Sequence, residues 1–287
     1  MSIEYWAPKS STTIVSWSLA GSRAAELCAS ERVSVIDCAV PIRKSSQIVD
    51  FGLRITSRRF ESAHFFEANV YLQLLQPSPE TVAETKTALS RGELVILPTD
   101  TVYGIAADIR NNSAVRVIYA AKHRSPDFPL QLLFGRNPAA LDQYAEVTTT
   151  ARRLVDALGP GGWTIIVPAK NGWDSPALSG GRTVGFRMVP VDVTLDIVDA
   201  LGAPVAASSA NISEGKSPVT CDEAVSQVGE WCGIAIDGGP TVSGIDSTVI
   251  DLSKDAPQIL REGAIDRATV ARILGLTQIP VQRSVRS

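Results

Sequence analysis

Histidine is nearly missing from this chain: its 287 residues include only His64 and His123. Serine and cysteine nucleophiles usually draw on a histidine base. Only His123 stands near motif-bearing stretches, so a hydrolase triad is a poor fit. Cysteine is sparse as well. Cys28, Cys38, Cys221 and Cys232 form no C-x-x-C pair, which argues against a zinc site or a disulfide framework and for a reducing cytoplasm. No apolar run approaches the ~20 residues of a membrane span. The N-terminus lacks the charged start and apolar core of a secretory signal. Excess positive charge is lacking too: 27 basic against 30 acidic residues leave a net charge of −3. Nucleic-acid binding is therefore expected to be weak or indirect, although a local basic pocket is compatible with that balance. The chain shows no internal repeat and no low-complexity tract.

The 45% hydrophobic and 20% charged content is that of an ordinary globular protein. Residues 1–76 read differently from the remainder. They hold the strand-like runs "TTIVSW" and "RVSVIDCAV" and an arginine-rich patch of Arg54, Arg58 and Arg59, without a chemical motif. We treat 1–76 as an N-terminal extension of unknown role and 77–287 as the domain that carries the chemistry. Regular patterning begins at "QPSPETVAETKTALSRG". There Ser78 suits an N-cap, Pro79 the first helical position and Gly92 the stop. Short apolar strands then alternate with amphipathic helices: "ELVILP", a helix ending at Lys122, "LQLLF", a helix around "TARRLVDALG", "WTIIVPA", "TVGFRMV", the helix "VTLDIVDALG" and "PVAASS". A helix from Asp222, "GIAID", "STVIDL", "QILRE" and a last helix to Leu274 complete the series. This alternation predicts an α/β domain around a largely buried sheet, with enough strands that some pair antiparallel.

Several motif matches fail on inspection. "EGKS" (214–217) lacks the upstream glycine of a phosphate loop, having Ala210 there. The S-x-x-K match in "SEGK" has its S-D-N-like partner "SAN" on the wrong side. "GPGGWT" is not a dinucleotide fingerprint. Polar residues at strand ends remain. "PTDTVYG" (98–104) places Thr99, Asp100, Thr101 and Tyr103 after a strand, where α/β sheets usually present a binding loop. "SSANIS" (208–213) does the same with Ser209 and Asn211. Ordinary turn chemistry accounts equally well for Ser and Asn, and Tyr103 suits the core. Lys122 and Arg124, in "KHRSPDFPL", could simply complement a helix dipole. Arg187 in "TVGFRMV" is harder to set aside, because a guanidinium in an apolar strand is costly unless paired. Together Lys122, Arg124, Arg187 and Arg261 give four cations beside neutral hydrogen-bonding loops. A site without an evident nucleophile works by positioning and electrostatics, the logic of phosphoryl or nucleotidyl transfer.

In this order, "LVILPTDTVYGIAAD", the K-x-R of Lys122 and Arg124, "FRMVP", "SSAN" and "GIDSTVIDL…ILREGAI" resemble the YrdC family of threonylcarbamoyl-AMP synthases, over roughly residues 78–275. The resemblance implies a twisted, mixed parallel and antiparallel sheet with flanking helices around a positively charged cavity. It also implies nucleotidyltransferase activity: L-threonine, bicarbonate and ATP yield threonylcarbamoyl-AMP and pyrophosphate, for t6A modification of tRNA. ATP is then a substrate, Mg2+ accompanies its phosphates, downstream t6A transfer proteins are partners, and the setting is cytoplasmic. By resemblance, Lys122 and Arg124 hold ATP phosphates and the carboxy group and are the catalytic pair. Ser209, Asn211 and Arg261 bind ATP; Thr101, Arg187, Ser209 and Ser247 bind threonine. No protein metal ligands are implied.

The chain departs from the family pattern at Phe128, Leu133 and Val219, where many members carry Asn, His and Thr. These apolar replacements predict weaker selectivity for threonine. They also leave open a catalytically weak or differently specific paralogue, one that binds nucleotide or RNA or forms a carbamoyl-adenylate with another acceptor.

Overall fold

The computed structural model describes residues 35–39, 48–49, 52–56 and 72–281, the first three segments as backbone only. The chain divides into two compact units, Met1–Leu74 and Leu75–Ser287. In the first, β1 (Val35–Ala39) pairs antiparallel with β3 (Gly52–Thr56), Val35 opposite Thr56. The expected strand "RVSVIDCAV" thus contains β1. Ile48–Val49 (β2) pairs with the start of β4 (Leu72–Leu75). "TTIVSW", Arg58, Arg59 and His64 lie outside the described residues.

In the second unit, Ser78 caps α1 (Pro79–Arg91): its Oγ accepts from the Thr81 N–H, Pro79 stands at the start, and Gly92 closes the helix at φ 87. Strands β5 (Leu94–Leu97), β7 (Gln131–Phe134), β8 (Trp163–Pro168), β9 (Thr183–Met188) and β10 (Val205–Ser209) coincide with expected runs. So do β11 (Cys232–Ile236), β12 (Thr248–Asp251) and β13 (Gln258–Arg261). The helices are α2 (Asn112–Ala121), α3 (Thr149–Leu158), α4 (Asp192–Leu201), α5 (Cys221–Val228) and α6 (Arg267–Leu274). Sequence patterning named none of β2, β3 and β4, and in the second unit it missed β6 (Gly104–Asp108), whose "GIAAD" is poor in the β-branched and aromatic residues that mark strands. It is held by its neighbours, being paired antiparallel to both β5 and β10.

The sheet runs β13-β12-β8-β9-β7-β10-β6-β5-β11. The pairs β5–β11, β7–β9 and β8–β12 are parallel; β5–β6, β6–β10, β7–β10, β8–β9 and β12–β13 are antiparallel. One face packs against α1 and α4 through Leu89, Val95, Leu97, Ile197, Val198, Val205 and Ile236. Side chains alternate along a strand, so Ile96, Ile105 and Ala206 point to the other face, where α2 packs on β5, β6 and β10. Burial on both faces explains why β5 and β11 read as unbroken apolar runs. At the middle of the sheet Trp163 and Phe186 meet edge to face, 6.1 Å between centroids. This packing fixes the strand ends that carry the site.

Candidate functional site

Strand and loop ends from seven strands enclose a cavity of about 340 Å3. Thr101 and Val102 follow β5, Arg124, Pro129 and Leu130 precede β7, and Gln131 opens it. Thr164 and Ile166 come from β8, Gly185 and Arg187 from β9, Ala207–Ser209 from β10, Asp246, Ser247 and Val249 from the approach to β12 and β12 itself, and Leu260 and Arg261 from β13. Of the expected site residues, Thr101, Arg124, Arg187, Ser209, Ser247 and Arg261 therefore share one cavity. Lys122 and Asn211 do not line it; they brace a loop that does.

The end of α2 shows how. Arg124 N–H donates to the Tyr119 carbonyl (2.9 Å) and His123 N–H to that of Ala120 (3.0 Å), the paired bonds of a Schellman ending. His123 takes the left-handed conformation, φ 49, where glycine is usual. The reversal sends the flanking side chains to different places and leaves His123 itself exposed, away from the cavity lining. The buried Lys122 Nζ donates to the carbonyls of Ser209 and Asn211, the latter at 2.6 Å. Burial, and secondarily Arg124, push its pKa down to about 8, with Asp246 opposing. Asn211 Nδ2 donates to the Ile212 (2.7 Å) and Gly215 (2.9 Å) carbonyls, which fixes the far side of the same loop. Arg124 Nη1 reaches Ser208 Oγ at 3.1 Å. Arg124 Nη2 also donates to the nearby Pro129 carbonyl at 3.3 Å, but Lys122 Nζ and Arg124 Nη1 reach across the structure to the β10 end, which is not what simple dipole complements would do.

Arg187 is 3% exposed. Its Nη1 donates to Thr101 Oγ1 (2.9 Å) and its Nη2 to Asp100 Oδ1, while Nε has no partner. Burial lowers its pKa and the Asp100 carboxylate opposes that effect. The carboxylate that the sequence did not identify for this guanidinium is therefore Asp100. Its other oxygen accepts from the Gly162 N–H at 2.8 Å, which gives "GPGGWT" a role unrelated to dinucleotides. Opposite, Arg261 Nη2 donates to the Ser247 carbonyl (2.9 Å) and Ser247 Oγ (3.2 Å). Ser247 Oγ meets Thr164 Oγ1 at 2.8 Å, and Thr164 donates on to Gln131 Oε1 at 2.7 Å. Thr164 and Gln131 went unnoticed in the sequence because strand residues of these types carry no motif; only the register of β7 and β8 brings them to the wall. Asp246 is the single carboxylate among the lining residues, 3.6 Å from Arg261.

Three residues expected to shape the amino-acid pocket do something else. Leu133 is a core residue of β7, packed with Val205 and Ile197. Phe128 is 58% exposed and lies over the Arg124 guanidinium, 5.6 Å from ring centroid to Cζ. Val219 is bound through its backbone, its N–H donating to Glu223 Oε2 (2.7 Å). None lines the cavity. Tyr103 is core as anticipated, its hydroxyl donating to the Gly239 carbonyl (2.6 Å). The described cysteines are no nucleophiles: burial pushes Cys221 up to about 12 and raises Cys232 as well. The described residues contain no cluster of His, Cys, Asp or Glu able to hold a metal alone, and no helix long and apolar enough to cross a membrane.

Comparison with known proteins places this geometry. The family Sua5/YciO/YrdC, described as telomere recombination, matches residues 87–263. A provisionally named threonylcarbamoyl-AMP synthase of Mycobacterium leprae is 37% identical over 198 residues, covering 68% of this chain and 88% of that protein. The threonylcarbamoyl-AMP synthase of Bacillus subtilis is 34% identical over 203 residues, 70% of this chain and 58% of that longer protein. Pyrococcus abyssi Sua5 complexed with L-threonine superposes with a TM-score of 0.68 at 29% identity, over 75% of this chain and 65% of that one. Escherichia coli YciO, at 23% identity and TM-score 0.62, shares the fold. With a matched family spanning most of the second unit and relatives above 30% identity along it, the chain belongs to the Sua5/YciO/YrdC family.

Proposed function

We propose that the protein forms threonylcarbamoyl-AMP and pyrophosphate from L-threonine, bicarbonate and ATP. The observation that carries this reading is the convergence of Arg124, Arg187 and Arg261 on one cavity whose remaining polar wall is hydroxyl and amide apart from the single carboxylate of Asp246. Both substrates that fill such a site are anionic: a triphosphate and an amino-acid carboxylate. Bidentate guanidinium contacts suit each. Arg187, fixed by Asp100 and Thr101, faces the threonine carboxylate. Arg124 and Arg261 face phosphate oxygens, and Lys122 adds charge from behind the Ser209 loop. Ser247, with Thr164 beside it, meets the carbamate.

The reaction needs no protein nucleophile. The threonine amine and bicarbonate give a carbamate and water, and a carbamate oxygen then displaces pyrophosphate from the α-phosphorus of ATP. Fixed cations stabilise charge that builds on the phosphate oxygens, as preorganised electrostatics requires. Mg2+ fits this donor set as an ion carried by the phosphates with one protein carboxylate in reach, Asp246; it would neutralise phosphate charge. The product would pass to t6A transfer proteins in the cytoplasm, where tRNA is modified. Residues 77–287 would hold the whole activity, with 1–76 as an extension.

The test uses purified protein with ATP, labelled bicarbonate and each amino acid in turn, scored for pyrophosphate and the carbamoyl-adenylate. Pyrophosphate that requires bicarbonate and threonine together supports the assignment. Hydrolysis to ADP, or no turnover with any amino acid, refutes it.

A further inference from the structure

Asp100 lies just outside the cavity wall, yet it gathers three parts of that wall. Its Oδ1 takes a hydrogen bond from Arg187 Nη2 on β9. Its Oδ2 accepts from the Gly162 N–H, 2.8 Å away, in the turn that enters β8. Its backbone carbonyl accepts from the Ser243 N–H at 3.0 Å, in the loop that leads to Asp246 and Ser247. The Gly162 carbonyl in turn accepts from the Thr248 N–H at 2.8 Å, directly after Ser247. A β-carbon on Gly161 would stand 2.9 Å from Asp100 Oδ2, so the turn approaches the carboxylate as closely as glycine permits. Both carboxylate oxygens are thus used by separate segments.

The consequence falls on Arg187. A guanidinium has five N–H donors. Here Thr101 and Asp100 each hold one, on Nη1 and Nη2, so its plane is fixed by two bonds from adjacent residues of one loop. A long side chain otherwise gives up rotamer freedom on binding, and that cost is removed in advance when the plane is already set. The ion pair matters for a second reason: Arg187 is 3% exposed, and a buried cation without its counter-charge is strongly disfavoured.

We infer that Asp100 is the positioning residue of the amino-acid site: it fixes the Arg187 guanidinium for the substrate carboxylate and locks that group to the turn and loop that carry Ser247. This deepens the proposed function and rests on its assignment of Arg187 to threonine. It is separable from that assignment, because wild-type turnover with threonine must first be shown.

The experiment is a double-mutant cycle on KM for threonine and for ATP. Asp100→Asn keeps the shape, but one amide cannot accept from both Arg187 and Gly162; it must turn an N–H toward one of them. Asp100→Asn is expected to raise KM for threonine by ~10-fold or more, the scale of one charged hydrogen bond, with KM for ATP within twofold. In an Arg187→Lys background, whose ammonium lacks the planar fork, adding Asp100→Asn is expected to change KM for threonine by less than twofold further. Asp100→Glu keeps the buried charge pair and supplies a folded protein if Asn does not; it is expected to show the same threonine-selective rise. The inference is overturned by an unchanged threonine KM in whichever Asp100 variant folds, by equal rises for ATP and threonine, or by effects that multiply in the double variant.

Discussion

Replacing Lys122 by methionine separates a charge that serves the site from a side chain that merely packs. Two opposed contributions to stability can be sized. The Lys122 pKa falls from 10.5 to about 8 on folding. At 1.36 kcal/mol per pKa unit this amounts to ~3 kcal/mol against the folded state wherever the amine is protonated in both states. Against it stand the hydrogen bonds to the Ser209 and Asn211 carbonyls, each worth ~1.5–3 kcal/mol with a charged donor. Methionine loses both, so at pH 7 the variant should be less stable by only about 0–3 kcal/mol. Activity should nevertheless fall by ~10²-fold or more, as when preorganised charge is removed. The pH dependence has a definite sign. The folded pKa lies below the unfolded one, so between about 8 and 10.5 the unfolded chain binds more protons and wild-type stability gains with rising pH. Methionine has no such gain. The stability gap between wild type and variant should therefore widen by up to ~3 kcal/mol from pH 7 to 10, while wild-type kcat/KM for ATP declines above pH 8. Matched urea melts at both pH values and pyrophosphate-release rates measure all of this. Turnover within fivefold of wild type, or a stability gap constant across pH, would refute the reasoning.

Gly263→Ala should be severe, because its β-carbon would lie 2.1 Å from the Asp246 carbonyl and 2.7 Å from Ser247 C, backbone atoms that cannot swing aside. A loss of ~2–3 kcal/mol, or roughly 5–10 °C in Tm, is expected together with impaired turnover; a melt within 1 °C of wild type would contradict the close approach. Phe128→Ala should raise KM for ATP by ~2–5-fold through loss of the cation–π contact to Arg124, and leave selectivity for threonine over valine unchanged. A change of selectivity would return Phe128 to the amino-acid pocket. A fragment of residues 77–287 should be soluble and retain turnover, since every residue that lines the cavity falls within it; an inactive or insoluble fragment would make the first 76 residues part of the working protein.

Local signals determined much of this protein from the sequence alone. The Ser78–Pro79 start and Gly92 stop of α1 are written in residue types whose effects are local. The apolar runs at β5, β8 and β10 needed only their length and their turns to be read as strands. The cations were legible for a related reason: Arg187 stands out because a guanidinium within "TVGFRMV" has a cost that local sequence does not offset. Tertiary structure decided what offsets it. Asp100 is 87 residues away from Arg187, and the run of pairings from β9 through β7, β10 and β6 to β5 brings them together. The same holds for β6, whose "GIAAD" has little intrinsic strand preference and takes its conformation from β5 and β10 on either side. Leu133 and Phe128 show the limit from the other direction. Their positions in a motif suggested a pocket, but strand parity turns Leu133 into the core and the reversal after α2 lays Phe128 on Arg124. Residue type along a chain records which groups are costly to bury, whereas the partner that relieves each cost is chosen by strand register, and register arises only when the whole sheet is paired.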